Sequence, residues 1–216
     1  MPPTDTADLV LFYAPRSRAL TVLWLLEELG QPFRIESVDI RAGEQKRPEF
    51  LTINPMGKVP AVRDGEIAVA ESGAIIAWLA DRYSSGDLAP RADEPARADY
   101  LRWLFFAAGV MEPAFGQKFF KLDLPAQQVG WGSFEQMEAV VTQAVAGREW
   151  LAGDRFTAAD LYVSANLHFG VSFGILPGEG PIANYVARIT ARPAFKRATA
   201  FEADRVAERE RAEAES

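Results

Sequence analysis

The sequence predicts two domains: a small α/β domain over residues 1–84 and an all-helical domain over residues 96–216, with a linker at residues 85–95. Three observations support this prediction. Strand and helix patterns alternate along the first 84 residues, turn-forming residues then cluster at Ser84–Pro90, and no clear strand pattern follows that cluster. A chain of 216 residues is long enough to bury a substantial core without disulfides or structural metals.

The first domain begins with a strand–helix–strand unit. The apolar run Leu9–Tyr13 has no helical period and ends before Pro15, so it predicts a buried strand. From Ser17 onward, apolar residues recur at helical spacing until Gly30, a common helix-ending residue. Phe33–Glu36 alternates apolar and polar residues, which predicts a second strand and completes a βαβ unit.

The remaining elements of this domain give the order β-α-β-α-β-β-α. A short helix is expected at Pro48–Leu51. The apolar runs Val59–Val62 and Glu66–Val69 flank Asp64-Gly65, and two such runs around Asp-Gly are a strong signal for a hairpin. A last helix is expected to begin at Glu71-Ser72.

The second domain shows helical patterns only. One helix is expected from Glu94-Pro95 and another over Phe134–Val145. Thr157 is followed by Asp160 three residues later, the spacing of a capping box at a helix start. We assign this pair to folding, because it satisfies backbone N–H groups that a helix start leaves unpaired.

The residue inventory excludes several kinds of site. The chain has no cysteine, which excludes a disulfide scaffold, a cysteine-ligated zinc site, an iron–sulfur cluster and a cysteine nucleophile. The single histidine, His168, excludes a histidine-rich metal site, and a Ser–His–Asp triad would have to use it. We therefore expect no metal cofactor, and we expect His168 to pack in the helical core or at its edge.

The charge balance argues against polyanionic partners. Lys and Arg number 23 against 30 Asp and Glu, which gives a net charge of −7. With no basic run, such a chain is expected to bind neither nucleic acid nor an anionic membrane. The start of the chain lacks a signal-peptide pattern, and the apolar stretch Leu101–Met111 is short and interrupted by Arg102. We therefore expect a soluble cytoplasmic protein.

Two features in the first domain suggest a ligand with the chemistry of a peptide or an amino acid. A cis bond between Val59 and Pro60 would leave the Val59 N–H and C=O facing a cleft, a strand edge suited to an extended peptide-like ligand. Ser72 can cap the following helix, whose N-terminus favours a carboxylate, while Glu71 could hold a neighbouring ammonium group. An α-amino acid head group carries both charges on one carbon.

A third feature lies at the junction of the first strand and helix. The Ser17 hydroxyl stands beside the helix N-terminus, with Arg16 and Arg18 next to it, and this arrangement can stabilise a thiolate or another anion. Ser17 could instead be only a helix N-cap. Tyr13, Arg16 and Arg18 remain alternatives for an anion contact.

Taken together, the element order, the segment NPMGKVPAV, the Glu71-Ser72 pair and the segment FTAADL resemble the cytosolic glutathione transferase family, and bacterial members in particular. The resemblance covers essentially the whole chain. It implies the glutathione transferase fold, with a thioredoxin-like first domain. It also implies a cytoplasmic, homodimeric detoxification enzyme that uses glutathione as co-substrate with a hydrophobic electrophilic small molecule.

The resemblance also implies roles for individual residues. The Val59 backbone would pair with the cysteinyl part of glutathione, ahead of a cis Pro60. Glu71 and Ser72 would hold its γ-glutamyl end.

At the other end of glutathione, Gln45 and Lys58 match positions that often reach the glycine carboxylate. Ser17 matches the position that activates the sulfur in bacterial and fungal members.

A hydrophobic co-substrate would occupy the cleft that the resemblance implies between the domains. Some members of an aromatic-rich stretch are expected to line it: Trp103, Phe106, Met111, Phe115, Phe119 and Phe120. Two alternatives to a transferase stay open. One is a binding or structural protein with an idle sulfur site, and the other is a glutathione-dependent disulfide reductase, peroxidase or isomerase.

Overall fold

The computed structural model describes residues 8–214, which form two compact units. The first unit combines the chain up to Leu79 with the chain from Arg192 onward, and the second unit is Ala80–Ala191. The sequence prediction divides the chain by type of element, at residues 85–95. The packing divides it differently, because the last helix joins the first unit.

A four-stranded mixed sheet forms the centre of the first unit. Its strands are β1 (Leu9–Tyr13), β2 (Arg34–Ser37), β3 (Ala61–Asp64) and β4 (Ile67–Ala70), in the order β2-β1-β3-β4. β1 runs parallel to β2, whereas β3 is antiparallel to both β1 and β4. The parallel pair requires a crossover, which the first helix provides.

All five residues of β1 are buried, as expected for a central strand covered on both faces. On one face, Val10 and Phe12 join a core cluster with Val38, Phe50 and Ala61. This packing confirms the interpretation of the first apolar run as a buried strand.

Three helices complete the predicted order in this part of the chain: α1 (Ala19–Leu29), α2 (Pro48–Leu51) and α3 (Ser72–Tyr83). A single 3₁₀ turn, Glu44–Lys46, precedes α2. Gly30 ends α1 in the left-handed conformation and donates its N–H to the Leu26 carbonyl. The order β-α-β-α-β-β-α is therefore confirmed.

The second unit contains helices and no strand within residues 80–191. Its helices are α4 (Ala96–Phe106), α5 (Glu112–Phe120), α6 (Phe134–Ala146), α7 (Ala158–Ser172) and α8 (Gly180–Thr190), with a π-helical turn, Ala107–Met111, between α4 and α5. The prediction of a helical second part is confirmed.

The predicted capping box at Thr157 is part of a larger buried network. The Thr157 N–H and hydroxyl both donate to the Asp160 carboxylate at 2.9 Å. The same carboxylate accepts from the Leu151 N–H and the Tyr185 hydroxyl, each at 2.8 Å. Burial raises the pKa of Asp160, and these hydrogen bonds act against that shift. Asp160 thus joins the start of α7 to α8 and to the preceding loop.

The last helix, α9 (Pro193–Ala214), packs on α1. Arg192, just before it, donates two hydrogen bonds to Glu28, at 2.6 and 2.8 Å. Arg197 donates to the Glu27 carboxylate at 2.6 Å and to the Glu27 carbonyl at 3.0 Å. Both carboxylate side chains are only 8% exposed. Between residues 8 and 214, every helix is too short or too polar to span a bilayer.

Candidate active site

The register of the sheet brings three of the predicted site segments to one end of the molecule's first unit. Phe12 of β1 pairs with Ala61 of β3, and Ala61 pairs with Ala70 of β4. Val59-Pro60 directly precedes Ala61, and Glu71-Ser72 directly follows Ala70. The loop after β1, which carries Ser17, leaves the sheet at the same end because Phe12 is the penultimate residue of that strand.

The Val59–Pro60 peptide bond is cis. Val59 is half-buried and packs against the core cluster beneath the sheet, and Pro60 is buried. The cis geometry considered from the sequence is therefore present immediately before β3.

Asn54 supports the turn that leads into this bond. Its side-chain N–H donates to the Lys58 carbonyl at 2.7 Å, and its side-chain oxygen accepts from the Met56 N–H at 3.0 Å. The Gly57 N–H donates to the Asn54 carbonyl at 2.8 Å. The sequence patterns do not indicate this role of the Asn54 side chain.

Gly57 lets the 3₁₀ turn pack against this segment. Its φ is +59°, and a Cβ atom there would lie 2.7 Å from the Gln45 carbonyl oxygen. Lys46 donates from its ammonium group to the Met56 carbonyl at 2.9 Å. A residue with a side chain would force the two segments apart, so glycine is required at this approach.

The structure therefore brings Gln45 close to the segment that carries Lys58 and Val59. The Gln45 side-chain N–H donates to the Ile40 carbonyl at 3.1 Å. The Gln45 side-chain oxygen is buried and has no hydrogen-bond partner within residues 8–214. Lys58 is exposed, which leaves its ammonium group in solvent reach.

Glu71 has the left-handed backbone conformation, with φ at +68°. A residue with a side chain rarely adopts this conformation unless its surroundings impose it. The Glu71 carbonyl accepts from the Ile75 N–H at 2.9 Å, which puts Glu71 in the N-cap position and makes Ser72 the first helical residue. The expectation that Ser72 caps this helix is wrong by one residue. The Glu71 side chain is exposed, and Ser72 is half-buried at the positive end of α3.

The Ser17 hydroxyl already makes two hydrogen bonds to backbone groups close to it in the sequence. It donates to the Ala14 carbonyl at 2.7 Å and accepts from the Ala19 N–H at 3.1 Å. Helix α1 begins at Ala19 with Arg18 in the N-cap position, so Ser17 lies one residue before the cap. A hydroxyl has a single proton to donate. Ser17 must therefore rotate away from Ala14 before it can donate to a ligand.

The alternative residues in this loop have different surroundings. Tyr13 is fully buried, and its ring packs edge-on against Phe201 of α9 at a centroid distance of 5.6 Å. Its hydroxyl has no hydrogen-bond partner in the described part of the chain. Arg16 has a left-handed backbone, with φ at +61°, and its guanidinium donates to Glu210 at 2.6 Å. Arg18, half-buried, occupies the N-cap position of α1.

The aromatic-rich stretch of the second unit divides into core and surface. Trp103, Met111 and Phe115 are buried. Phe119 and Phe120 are exposed and contact each other edge-on, with a centroid distance of 5.2 Å. The first three therefore contribute to packing. Across residues 8–214, no cluster of three or more acidic or histidine side chains is placed to hold a metal ion.

Comparison with known proteins identifies the family. Residues 7–81 match the family model of the glutathione S-transferase N-terminal domain. Glutathione S-transferase 3 of Zea mays is 31% identical over 211 residues, which span 90% of this chain and 94% of the maize protein. The chain therefore belongs to the glutathione S-transferase family, as the resemblance in its motifs implied.

A curated relative and a solved structure are also similar to this chain. The disulfide-bond oxidoreductase YfcG of Escherichia coli K12 is 29% identical over 201 residues, which span 85% of this chain and 91% of YfcG. The structure of the glutathione transferase URE2P6 from Phanerochaete chrysosporium, in complex with oxidized glutathione, has a TM-score of 0.79 and 26% identity over 93% of this chain and 98% of that one. These matches confirm the predicted glutathione transferase fold.

Proposed function

We propose that the protein binds glutathione and activates its thiol for attack on an electrophilic small molecule. The observation that carries the proposal is the sheet register, which joins the cis Val59–Pro60 bond, the Glu71-Ser72 helix start and the Ser17 loop at one end of three adjacent strands. These three features match the parts of a tripeptide thiol. A free strand edge can pair with its peptide backbone, a helix N-terminus can bind a carboxylate, and a hydroxyl can donate to the sulfur.

The proposed contacts follow the length of glutathione. The Val59 N–H and C=O pair with the cysteinyl backbone. The Ser72 end of α3 receives the γ-glutamyl carboxylate, and the exposed Glu71 carboxylate pairs with the ammonium group on the same carbon. Gln45 and Lys58, which come from two segments that meet at Gly57, take the glycine carboxylate.

Ser17 is proposed to donate to the sulfur after rotating from Ala14. One hydroxyl hydrogen bond to a charged acceptor contributes about 1.5–3 kcal/mol, and a helix N-terminus contributes about 0.3–1 kcal/mol more. Since about 1.4 kcal/mol of preferential thiolate stabilisation corresponds to one pKa unit, these contacts together lower the thiol pKa by about one to three units, of which the hydroxyl accounts for about one to two. The thiol proton leaves to solvent, the sulfur forms a bond to the electrophilic atom, and the leaving group departs with the electron pair of its bond.

A pair of matched glutamate variants tests the site. Glu71→Ala removes the partner of the ligand ammonium, and we expect glutathione affinity measured by calorimetry to fall by about 1–3 kcal/mol, the usual loss for a charged hydrogen bond. Glu66→Ala is the control, because Glu66 is also exposed but lies in the turn at the opposite end of β3 and β4. Equal glutathione affinities in the two variants would remove Glu71 from the site.

Disulfide reduction is the second candidate, and similarity to YfcG favours it. The chain has no cysteine, so the sulfur atoms that react must all come from glutathione and from the disulfide substrate. A glutathione thiolate would attack the glutathione sulfur of a mixed disulfide, giving oxidized glutathione and a free thiolate. Turnover of a mixed disulfide without turnover of any electrophile would favour this candidate over transfer.

The proposed enzyme is a cytoplasmic homodimer with a two-fold interface, as the family resemblance implies. Sedimentation at micromolar concentration tests this directly. A species of 23.8 kDa, the mass of one chain, would contradict it.

A further inference from the structure

We propose that Glu202 of α9 is a positioning residue for thiol activation: its carboxylate holds the loop of residues 14–18 in the conformation that places Ser17 at the start of α1. The inference rests on the proposed function, because the importance of this loop depends on Ser17 acting on the sulfur.

The backbone of Arg16 requires an external support. Its φ of +61° lies in the left-handed region, which residues with a side chain rarely occupy unless surrounding contacts impose it. The Arg16 N–H donates to the Glu202 carboxylate at 2.6 Å. A hydrogen bond from a backbone N–H to a carboxylate is charge-assisted and stronger than one between neutral groups. Glu202 is therefore the contact that holds this peptide.

Helix α9 presents Glu202 from a fixed position. The start of the helix is anchored to α1 by the ion pairs of Arg192 with Glu28 and of Arg197 with Glu27. Beside Glu202, the Phe201 ring packs edge-on against Tyr13 at the end of β1. Helix α9 thus contacts β1, which precedes the loop, and α1, which follows it. These contacts fix the position of the Glu202 carboxylate.

The surroundings of Glu202 restrict what else its carboxylate does. Its second oxygen is buried and has no hydrogen-bond partner within the described residues. Burial raises the pKa of Glu202, while its bond from Arg16 and the nearby charge of Arg209 act in the opposite direction. Arg205, one turn along α9, donates from its terminal NH2 group to Glu208 at 2.8 Å, and its Nε atom is buried without a hydrogen-bond partner within residues 8–214. In the described part of the chain, the Arg16 N–H is the hydrogen-bond donor that contacts this carboxylate.

Ser17 depends directly on the conformation of Arg16. The Ser17 hydroxyl donates to Ala14 within the same loop and accepts from Ala19, the first residue of α1. A rotation of the Arg16 backbone would move the hydroxyl relative to the start of α1. Glu202 therefore acts on the thiol through the loop and not by contact with the substrate.

Two substitutions at Glu202 of nearly equal size distinguish the loss of the hydrogen bond to Arg16 from the loss of the negative charge. Glu202→Gln and Glu202→Met are both neutral and of similar length, but only glutamine can accept the Arg16 N–H. With glutathione bound, we expect the thiol pKa measured by ultraviolet titration to be higher in Glu202→Met than in Glu202→Gln by about one unit, the lower end of the share assigned to the hydroxyl. We expect glutathione affinity to differ by less than about threefold, because the other ligand contacts are unchanged.

Hydrogen exchange supplies a readout independent of the reaction. The Arg16 amide should exchange at least about tenfold faster in Glu202→Met than in Glu202→Gln, because its acceptor is lost. Glu210→Gln is the control, since Glu210 pairs with the Arg16 guanidinium, both side chains are more than half exposed, and such pairs contribute little. If Glu202→Met does not fold, Glu202→Ala takes its place in the comparison with glutamine.

The outcomes distinguish the inference from the proposed function. Equal thiol pKa values in the glutamine and methionine variants, with a thiolate present in the wild type, would overturn the role of Glu202 in activation. A wild type that binds glutathione without forming a thiolate would overturn the proposed function instead. Unchanged exchange of the Arg16 amide would overturn the loop contact itself.

Discussion

The Asn54 side chain donates to the Lys58 carbonyl at 2.7 Å and so closes the turn that precedes the cis Val59–Pro60 bond. Asn54 is only 2% exposed, although its neighbours Pro55 and Met56 lie on the surface. A buried amide that bonds the backbone on both sides of a turn fixes the shape of that turn. In the proposed site, Asn54 therefore sets the position of the Val59 backbone without touching the ligand.

The first prediction concerns this amide. Asn54→Ala should lower the free energy of unfolding by about 1–3 kcal/mol, because buried backbone groups of the turn lose their partners. Glutathione affinity should fall as well, since Val59 loses its support. Urea unfolding and calorimetry measure the two effects. Thr52→Ala removes an exposed side-chain bond to the Glu49 carbonyl and serves as control, with both quantities expected to stay near wild type.

The second prediction separates two roles of Ser17. Ser17→Ala removes the hydroxyl that accepts from the Ala19 N–H, so the free energy of unfolding should fall by about 1 kcal/mol, as for the loss of a helix cap. If the hydroxyl also serves the sulfur, the bound thiol pKa should rise by about one to two units. Turnover near neutral pH should then fall and partly recover at higher pH. Ser85→Ala, an exposed serine elsewhere, is the control; a thiol pKa that matches this control would assign Ser17 to folding alone.

The third prediction concerns the carboxylate that joins α7 to its neighbours. Asp160→Ala leaves buried donors from Leu151, Thr157 and Tyr185 unpaired, at about 1–3 kcal/mol for each group. We expect a loss of at least about 3 kcal/mol in urea unfolding, a large effect for one substitution. Asp154→Ala is the matched control, because that side chain is 93% exposed. A loss below 1 kcal/mol in Asp160→Ala would contradict the network.

The fourth prediction concerns pH. Burial lowers the pKa of His168 below its ordinary value of 6.5, so the unfolded chain takes up this proton before the folded chain does. The contribution of His168 to stability is therefore complete above pH 6.5 and is lost as the pH falls through the folded pKa. Because the chain has one histidine, His168→Gln isolates this contribution.

Urea unfolding of the wild type and of His168→Gln between pH 7.5 and pH 5.5 provides the measurement. The difference in unfolding free energy between the two proteins should shift against the wild type as the pH falls. A difference that stays constant with pH would show that the histidine titrates alike in both states.

Local patterns predicted most of the fold correctly. The apolar run of β1 and the Asp-Gly hairpin each depend on neighbouring residues, and each lies where the sequence indicated. The error at the start of α3 has a local cause. Glu71 adopts the left-handed conformation, which no sequence pattern indicates for glutamate. Its carbonyl accepts the first helical hydrogen bond, so the N-cap position falls on Glu71 and not on Ser72.

The role of α9 could not be predicted for a different reason. The partners of its Arg197 and Glu202 are residues near the beginning of the chain, and pairing over such a separation leaves no periodic signal. The charges of this segment hold α1 and the loop that precedes it, so its role depends on tertiary pairing that local composition does not show.

The return of α9 to the first unit has a consequence for biosynthesis. Glu27 and Glu28 are made early, but the arginines that neutralise them leave the ribosome only after Ala80–Ala191 has been synthesised. Helix α9 packs on α1, so α1 lacks this cover until the end of the chain has been synthesised, and the first unit reaches its final packing last. A nascent chain stalled before Arg192 would carry the complete sheet and still be open to proteolysis along α1.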